Sequence, residues 1–311
     1  MRIAIVGTGG VGGYFGGRLA AAGCDVTFLA RGAQLDALQS RGLRIHSPLG
    51  DLHLPRVSAT DDPTSVGAVD VVFLTVKLYD TESAMALLPP LLGSETVVIP
   101  FQNGVDSVEW LVRAVGRDHT AGGTAYVAAV IAEPGVIRHT ANERLVFGEL
   151  DGTRSARLER LLEACGPAGF DASLSDQIER DIWEKFVWLS TFSGITAVTR
   201  LPIGPIREDP DLMVLCQAAA MEGMAVAHAK GVSLPVTLLD QLLPGLHRLP
   251  PDAKSSMLQD LERGRPLELA WLSGAIVRIG EALDVHTPTH RFFTTVLAPH
   301  AGGQRSQPTG R

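Results

Sequence analysis

The segment Ile3-Ala-Ile-Val-Gly7-Thr-Gly9-Gly-Val-Gly12-Gly13 at the N-terminus decides the fold class. Its first four residues are apolar, as in a strand that is buried on both faces of a parallel sheet. The glycines follow at once, and a helical pattern then runs from Tyr14 to Ala22. A G-x-G-x-x-G motif between a strand and a helix indicates a dinucleotide-binding Rossmann domain.

The motif assigns a task to each of its three glycines. Gly7 makes the tight turn, Gly9 lets a pyrophosphate approach the backbone, and Gly12 lets the helix pack on the strand. The helix N-terminus also favours an anion. A glycine-rich turn without a ligand is the alternative interpretation. The residues that we expect to contact a cofactor here are Gly7, Thr8, Gly9, Gly10, Val11 and Gly12.

The second strand, from Asp25 to Leu29, leads into Ala30-Arg31-Gly32. An NAD-binding domain would place an acidic residue here for the ribose 2′-hydroxyl, whereas an arginine suits a 2′-phosphate. The prediction is therefore NADP, with Arg31 on the phosphate. An exposed loop arginine without this task is the alternative.

Two further strands end in polar residues. Val69 to Val76 leads into Lys77, and Thr96 to Ile99 leads into a loop that contains Gln102 and Asn103. Ligands bind at the carboxyl ends of such strands, so we expect Lys77, Gln102 and Asn103 near the cofactor. A solvated lysine and an ordinary Asn-Gly turn are the alternatives.

The remaining N-terminal half predicts additional strands. Leu43 to Leu54 has a hairpin pattern. Beyond Ala121 an antiparallel meander should extend the parallel sheet, followed by a helix near Arg154 to Ala168 and a short strand near Asp171 to Leu174. The domain boundary is expected near Ser175, which makes residues 1–175 the Rossmann domain.

Residues 176–311 predict an all-α domain. Leu212 to Lys230 is helical, Ser256-x-x-Gln259 has capping-box spacing, and Pro266 should start a helix that runs to about Ala282. The tail from Gly302 to Arg311 is polar and should be frayed. The expected fold class is thus α/β, with a Rossmann domain, an antiparallel extension and a helical C-terminal domain.

A lysine interrupts an apolar helix stripe in this second domain. At about 100° per residue, Ile178, Ile182, Leu189 and Thr196 share one face, and Lys185 lies in its middle. Burying an ammonium is costly, so Lys185 either extends its stem to water or faces a polar cleft. Glu268 follows Pro266 in an expected first helical turn, where a carboxylate also suits the helix dipole.

Composition excludes several classes of protein. The 311 residues are 45% hydrophobic and 20% charged, as in globular proteins, and the net charge of −7 disfavours nucleic acid and anionic membranes. The three cysteines have no metal-like spacing and suggest reduced thiols, so we expect no metal and a cytoplasmic location. We expect no signal peptide, because the apolar run before the N-terminal glycines is short, and no apolar segment of 18 residues.

Five motifs together resemble the ketopantoate reductase family, over nearly the whole chain and in the same order. They are the N-terminal glycine motif, Ala30-Arg31-Gly32, Gln102-Asn103-Gly104, Trp183-Glu-Lys185, and Ser255-Ser-Met-Leu-Gln-Asp-Leu with the downstream Glu268. The resemblance implies that NADPH reduces a 2-keto acid to a 2-hydroxy acid in a cleft between the two domains, a step of pantothenate biosynthesis in the family.

The resemblance also implies roles for individual residues. Lys185 would protonate the carbonyl oxygen, and Asn103 would orient that lysine and the substrate. Glu268 would hydrogen-bond the hydroxyl group, Ser256 would help to hold the carboxylate, and Arg31 would hold the 2′-phosphate. Hydride addition builds negative charge on the carbonyl oxygen, so a cationic acid beside that oxygen is the expected catalyst.

The chain departs from the family where the family has asparagines. Leu189 and Ser193 replace two amides that follow the catalytic lysine on its stripe, and Ala253 replaces a third before Ser256. With fewer amides the substrate site is more apolar, because hydrogen bonds that would recognise the hydroxyl groups of a polyol acid are lost. The expected substrate is 2-dehydropantoate or a more apolar 2-oxo acid, bound in part by Ser256, Ser193 and Leu189.

Two other hypotheses remain open at this stage. The same fold could reduce another carbonyl or an imine, or the chain could be an NADP-binding sensor without catalysis. Retention of Lys185 and Glu268 disfavours the sensor. A homodimer through the helical domain is a further hypothesis, with the apolar segment from Leu212 to Val226 as a candidate surface. A helix buried within the domain is the simpler explanation of that apolar pattern.

Overall fold

The structure is a computed structural model, and it describes residues 1–303. The chain forms two compact units. The first unit is Met1–Gln102 with Asp106–Asp181, and the helical unit is Asn103–Val105 with the chain from Ile182 onward. The sequence places the domain boundary near Ser175, and the observed division falls within the helix that follows. The predicted frayed tail lies, from residue 304 on, outside the described residues.

Within residues 1–303, ten strands are found, all in the first unit. They are β1 (Arg2–Val6), β2 (Asp25–Leu29), β3 (Leu43–His46), β4 (Leu52–Leu54), β5 (Ser58–Thr60), β6 (Val71–Leu74), β7 (Val97–Pro100), β8 (Ala121–Glu133), β9 (Val136–Glu149) and β10 (Asp171–Leu174).

Twelve helices are described. They are α1 (Gly10–Ala21), α2 (Gly32–Arg41), α3 (Thr81–Met85), α4 (Ser107–Val115), α5 (Ala156–Cys165), α6 (Ile178–Thr199), α7 (Ile203–Glu208), α8 (Pro210–Ala229), α9 (Leu238–Arg248), α10 (Ser256–Glu262), α11 (Ser273–Ala282) and α12 (Pro288–Leu297).

Five strands of the first unit form a parallel sheet in the order β5-β2-β1-β6-β7. The strand β1 lies at its centre, and its apolar residues Ile3 to Val6 are at most 1% exposed. Burial on both faces explains why β1, β6 and β7 are continuous apolar runs rather than alternating ones. This order, with β1 between the two halves, is that of a Rossmann domain, as predicted.

The antiparallel region differs from the prediction in its connection to the sheet. The strands β8 and β9 are a long antiparallel pair that belongs to a second sheet, in the order β10-β9-β3-β4 with β8 on β9. The hairpin β3-β4 also belongs to this sheet. Only an isolated bridge from Val98 to Thr120 leads from β7 toward β8. The pattern of alternating residues predicted the strands, but it carries no information about which edge they pair with.

The helical unit packs around its own apolar core. Its largest buried side chains include Trp183 and Phe186 of α6, with ring centroids 5.2 Å apart in an edge-to-face arrangement. Cys216 and Ala219 of α8 join the same cluster from the next long helix. The core positions α6, and with it Lys185.

Helix α8 corrects the expectation that the chain has no long apolar segment. By length and composition, α8 (Pro210–Ala229) could cross a membrane. An 18-residue stretch of it has a mean hydropathy of 1.4, and 33% of that stretch is buried. The sequence reading missed it because Asp211 and Glu222 interrupt the apolar run. One such helix is weak evidence for a membrane span, since the core helices of soluble proteins also meet these limits.

Candidate active site

The glycine turn of the first unit has the geometry that its sequence predicts. Gly7 has φ +102°, and a Cβ there would lie 2.6 Å from the backbone nitrogen of Val76. A Cβ at Gly12 would lie 2.4 Å from the carbonyl oxygen of Gly7 and 2.7 Å from the side chain of Ile5. Gly7 is therefore needed for the turn and Gly12 for the contact of α1 with β1.

The backbone at Gly9 is open. A Cβ at this position would meet nothing within 4 Å, and Gly9 is the N-cap of α1 without a side-chain capping bond. The first N–H groups of a helix have no intrahelical partners, so the N-terminal residues of α1 offer donors to a ligand. Thr8 is 4% exposed and is fixed by a hydrogen bond from its hydroxyl to the carbonyl of Leu29.

Gly10 has a packing reason that the motif does not reveal. A Cβ there would lie 2.0 Å from the carbonyl oxygen of Ala129 in β8. The second sheet therefore approaches α1 at this residue, and any side chain would displace a strand backbone. Val11, next to it, packs against the apolar core of the unit.

Arg31 lies at the carboxyl end of β2 as the N-cap residue of α2, and its side chain is 72% exposed. Its guanidinium lies 3.8 Å from the carboxylate of Asp80, which follows β6. Sequence reasoning missed Asp80, because the two residues are distant in sequence and only the pairing of parallel strands brings the loops together. An exposed pair of this kind contributes little to stability, so Arg31 can release Asp80 for a better anion.

Gln102 presents an unsatisfied oxygen. Its amide nitrogen donates to the carbonyl of Val76 and to the hydroxyl of Thr81, both at 2.8 Å. Its Oε1 atom is buried and has no hydrogen-bond partner within the described part of the chain. Buried polar atoms are usually satisfied, so this oxygen is positioned to accept a bond from a ligand. Lys77 is near, as the residue before the 3₁₀ turn Leu78–Asp80.

Three side chains form a hydrogen-bonded chain in the helical unit. Lys185 Nζ donates to Asn103 Oδ1 at 3.3 Å, and Asn103 Nδ2 donates to Glu268 Oε2 at 3.3 Å. The three residues come from segments far apart in sequence, and Glu268 is only 5% exposed. Asn103 therefore uses both ends of its amide to link an ammonium to a carboxylate.

Burial changes the acidity of Lys185. Desolvation lowers the pKa of its ammonium to about 8, and the negative charge of Glu268 opposes that change only in part. At neutral pH the group is mainly protonated, yet it holds its proton less tightly than an exposed lysine does. This combination suits a proton donor, since the best acid has a pKa near the working pH.

The segment around Glu268 differs from the prediction. Pro266 does not start a continuous helix, because the backbone leaves the helical region at Leu272, with φ −107° and ψ −103°. Glu268 instead precedes a 3₁₀ turn, Leu269–Trp271, and α11 begins at Ser273. The N–H of Leu267 donates to the carbonyl of Ala301 at 2.9 Å, and the carboxylate of Glu268 lies beside Asn103.

The face of α6 that contains Lys185 continues toward the C-terminus with one apolar side chain and two hydroxyl side chains. Leu189 is partly buried against the core of the unit. Ser193 is fully buried, and its Oγ atom lacks a hydrogen-bond partner among residues 1–303. Thr196 bonds through its hydroxyl to that of Ser255 at 2.7 Å.

The capping prediction for α10 is wrong by one residue. The N-cap is Ser255, whose Oγ accepts from the N–H of Leu258 at 3.1 Å, and Ser256 is the first helical residue. The bond between Ser255 and Thr196 selects this register, because both hydroxyls are buried. Ser256 is consequently exposed and free of the capping task.

The structure thus brings Asn103, Lys185 and Glu268 into direct contact, and it places the glycine turn, Arg31 and Gln102 at the carboxyl edge of the parallel sheet. Leu189 and Ser193 lie on the same helix as Lys185, and Ser256 lies in the first turn of α10. Among residues 1–303, no group of three or more His, Cys, Asp or Glu side chains could hold a metal ion.

Comparison with known proteins gives matches over almost the whole chain. The family model "Ketopantoate reductase PanE/ApbA" matches residues 3–152, and the model of its C-terminal domain matches residues 177–301. A 2-dehydropantoate 2-reductase from Mesorhizobium japonicum is 34% identical, over 93% of this chain and 94% of that protein. The crystal structure of a 2-dehydropantoate 2-reductase from Geobacter metallireducens is 30% identical, with a TM-score of 0.90 over 96% of this chain and 99% of that one.

More distant structures share the fold alone. One is a D-mandelate dehydrogenase with NADH and anilino(oxo)acetate, 21% identical, with a TM-score of 0.89 over 97% of this chain and 98% of that one. Another is a dimeric ketopantoate reductase from Staphylococcus aureus, 19% identical, with a TM-score of 0.77 over 97% of this chain and 99% of that one. The two family models and the close relatives agree: the chain belongs to the ketopantoate reductase family.

Proposed function

We propose that this chain uses NADPH to reduce a 2-oxo acid to the corresponding 2-hydroxy acid, with Lys185 as the general acid. The observation that carries the proposal is the hydrogen-bonded chain from Lys185 through Asn103 to Glu268. It holds a partly desolvated ammonium in one orientation beside a buried carboxylate. Membership of an oxidoreductase family supports the reaction class.

The chemistry follows from the charge that develops. When bound, NADPH supplies a hydride to the carbonyl carbon. Lys185 donates its proton to the carbonyl oxygen as negative charge builds there, and it then regains a proton from solvent. Asn103 holds the ammonium in position, since its Oδ1 accepts from Nζ. Glu268 accepts a hydrogen bond from the hydroxyl group of the product and favours the charged form of the lysine.

The residues of the first unit fit a dinucleotide. The open backbone at Gly9 leaves room for a pyrophosphate beside the donors of α1. The unsatisfied Gln102 Oε1 can accept a bond from the cofactor, and Gln102 directly precedes Asn103 in the chain. One peptide bond therefore connects an atom suited to the cofactor with the residue that orients the acid.

Arg31 supports NADPH as the preferred cofactor. It is exposed at the end of β2, where the ribose 2′-substituent binds in Rossmann domains, and no acidic residue occupies its place. A guanidinium binds a phosphate by charge-assisted hydrogen bonds. Lys77 supplies a second cation to the same edge of the sheet.

The substrate site combines hydroxyls with an apolar wall. Ser256 is exposed at the first turn of α10, where a carboxylate is favoured, and we assign it to the carboxylate of the substrate. The unsatisfied hydroxyl of Ser193 can bind a polar group, while Leu189 and Ala253 offer only apolar contacts. The substrate is 2-dehydropantoate or a 2-oxo acid with a more apolar side chain.

The test is a substrate panel with purified protein. NADPH oxidation is measured with 2-dehydropantoate and with 2-oxo acids that carry branched or aromatic side chains, in wild type and in Leu189→Asn. We expect turnover of the panel, and a shift of kcat/KM toward 2-dehydropantoate of about tenfold in the variant. Absence of turnover with every 2-oxo acid would remove the proposed function. Turnover with an unchanged preference in Leu189→Asn would remove the role of Leu189.

We also propose a homodimer through the helical unit and a cytoplasmic location. The free thiols support the location, since Cys24, Cys165 and Cys216 form no disulfide. Size-exclusion chromatography with light scattering tests the dimer. A mass of one chain at all concentrations would contradict it.

A further inference from the structure

The loop that follows β6 places a carboxylate opposite Arg31. The strands β2 and β6 lie on either side of β1 in the parallel sheet, so the loops at their carboxyl ends flank the glycine turn. Arg31 follows β2 and Asp80 follows β6, with 3.8 Å between the guanidinium Nη2 and the carboxylate Oδ1. The carboxyl edge of the sheet is therefore lined by a cation and an anion that face each other.

Asp80 does not use its carboxylate to cap α3. It is the N-cap residue of that helix, yet its side chain makes no capping hydrogen bond. Its backbone supports the turn instead, since its N–H donates to the carbonyl of Lys77 at 2.9 Å and its carbonyl accepts from the hydroxyl of Ser83 at 2.8 Å. The side chain of Asp80 is 42% exposed, and an ion pair at that exposure contributes little to stability. The carboxylate can therefore turn to a ligand at little cost to the fold.

The space beside this pair is open. Gly32 follows Arg31 with φ +53°, and a Cβ there would meet nothing within 4 Å. The same holds for a Cβ at Gly9 in the glycine turn. The ion pair and the turn thus border space that the adenosine end of a dinucleotide can occupy.

The two side chains of the pair suit two different cofactors. In Rossmann domains a carboxylate near the end of the second strand accepts hydrogen bonds from the ribose of NADH, whereas an arginine there binds the 2′-phosphate of NADPH. This chain has the arginine after β2 and a carboxylate from the loop after β6. A phosphate must take Arg31 from Asp80 and is repelled by the carboxylate, whereas an unphosphorylated ribose can offer its hydroxyls to Asp80 with the ion pair in place.

From this arrangement, we propose that Asp80 is a specificity-determining residue, which binds the ribose hydroxyls of NADH and weakens the binding of NADPH, so that the chain accepts both cofactors. The identity of the cofactors rests on the proposed function. Arg31 sets the preference for NADPH, and Asp80 limits it. The preference is then the difference between two opposing side chains rather than the property of one.

The central test is Asp80→Asn, which removes the charge and keeps the size of the side chain. Dissociation constants for NADPH and NADH are measured by fluorescence titration of the purified protein without any 2-oxo acid. We expect NADPH to bind about threefold more tightly and NADH about threefold more weakly, so that the ratio of the two constants changes by about tenfold. The opposite signs decide the test, since a disturbed loop structure would weaken both cofactors.

Glu82→Gln is the matched control. Glu82 lies two residues beyond Asp80 in the first turn of α3, is exposed, and carries the same charge. The substitution changes the charge of the loop but leaves the pair of Arg31 with Asp80 in place, so both dissociation constants should stay within about twofold of wild type. A response equal to that of Asp80→Asn would attribute the effect to net charge and overturn the assignment.

Two fragments restrict the measurement to the adenosine end of the cofactor. The compounds 2′,5′-ADP and 5′-AMP differ only in the 2′-phosphate, and their binding is measured by titration calorimetry. Asp80→Asn should tighten the binding of 2′,5′-ADP and weaken that of 5′-AMP. If both fragments respond in the same direction, Asp80 does not distinguish a phosphate from a hydroxyl, and the proposal is overturned.

A double-variant cycle tests whether Asp80 competes for Arg31. In the Arg31→Ala background, Asp80→Asn should improve NADPH binding by less than about twofold, because no guanidinium remains to be released. Its effect on NADH should persist, since the ribose hydroxyls bind the carboxylate directly. An NADPH gain of the same size in both backgrounds would contradict the competition.

The binding measurements are separate from the test of the reaction. Absence of NADH binding to wild type, or a shift of both constants in the same direction in Asp80→Asn, would overturn the role of Asp80 and leave the reduction chemistry standing. Failure to reduce any 2-oxo acid, with the binding shifts as expected, would remove the proposed reaction and support the role of Asp80.

Discussion

Gly7, Gly9 and Gly12 shape a backbone turn in the first unit that is open at Gly9, whereas Asn103, Lys185 and Glu268 join their side chains in the helical unit. The glycines lie within a few residues of each other, and the site they form is local in sequence. The three side chains come from segments more than eighty residues apart, and only tertiary structure joins them. A backbone site tolerates changes of side chain around it, while the side-chain site depends on each member. The difference between the two sites predicts which substitutions weaken cofactor binding and which lower the rate of the reaction.

The largest effect is expected at Lys185. In Lys185→Ala the kcat for 2-oxo acid reduction should fall by about 10²–10⁴-fold, because the proton donor is lost. NADPH binding, measured by fluorescence titration, should persist. Lys230→Ala removes an exposed lysine and is the control. Wild-type turnover in Lys185→Ala would show that Lys185 is not the acid.

The second effect separates two glycines of one motif. Gly9→Ala adds a methyl group where nothing lies within 4 Å, so the fold should be unaffected, while NADPH affinity should fall by about a hundredfold as charged hydrogen bonds are blocked. Gly12→Ala places a Cβ against the Gly7 carbonyl and should cost about 1–3 kcal/mol of stability. Thermal melting and cofactor titration of both variants check this. An equal loss of stability in both would contradict the assignment.

A smaller effect is expected at Arg31. Arg31→Ala should reduce the preference for NADPH over NADH by about tenfold or more, because a charged hydrogen bond to the phosphate is lost. The measurement is kcat/KM for each cofactor. Arg56→Ala, at an exposed arginine outside the site, should leave the preference as in wild type. An unchanged ratio in Arg31→Ala would mean that other groups choose the cofactor.

The smallest effects distinguish two neighbouring serines. Ser255→Ala removes the cap of α10 and the bond to Thr196, so it should lower the free energy of unfolding by about 1–2 kcal/mol. Ser256→Ala should leave stability unchanged and raise KM for the 2-oxo acid several-fold. Thermal melts and steady-state kinetics test both. A loss of stability in Ser256→Ala, together with a raised KM in Ser255→Ala, would mean that Ser256 is the N-cap of α10.

The glycine turn of the first unit was largely predictable from the sequence, because the residues that form it are adjacent in the chain. A buried apolar strand, three glycines and a helical pattern are sufficient for the turn, the helix N-terminus and the order of the elements. The pairing of Arg31 with Asp80 and the contact of Gly10 with Ala129 were not visible. Both depend on which loops and strands the topology brings together.

The side-chain site was predictable in its members but not in its construction. Lys185 stood out as a charge on an apolar helix stripe, Asn103 followed a buried strand, and Glu268 followed Pro266. The family resemblance indicated the roles of all three. The helix expected from Pro266 to Ala282 is interrupted at Leu272, whose non-helical backbone no local pattern indicates. The cap at Ser255 likewise depends on Thr196, many residues upstream. That bond distinguishes two adjacent serines, both of which are good caps by residue type.

The pH dependence of kcat/KM is the most direct test of Lys185 as the proton donor. Burial lowers the pKa of its ammonium to about 8, so the acid form is present below this pH and is lost above it. For reduction with NADPH, kcat/KM should be constant near neutrality and fall tenfold per unit of pH above about 8. In Lys185→Arg, whose guanidinium does not lose its proton in this range, the residual activity should lack that break. A break near pH 8 that persists in Lys185→Arg would contradict the assignment of the acid.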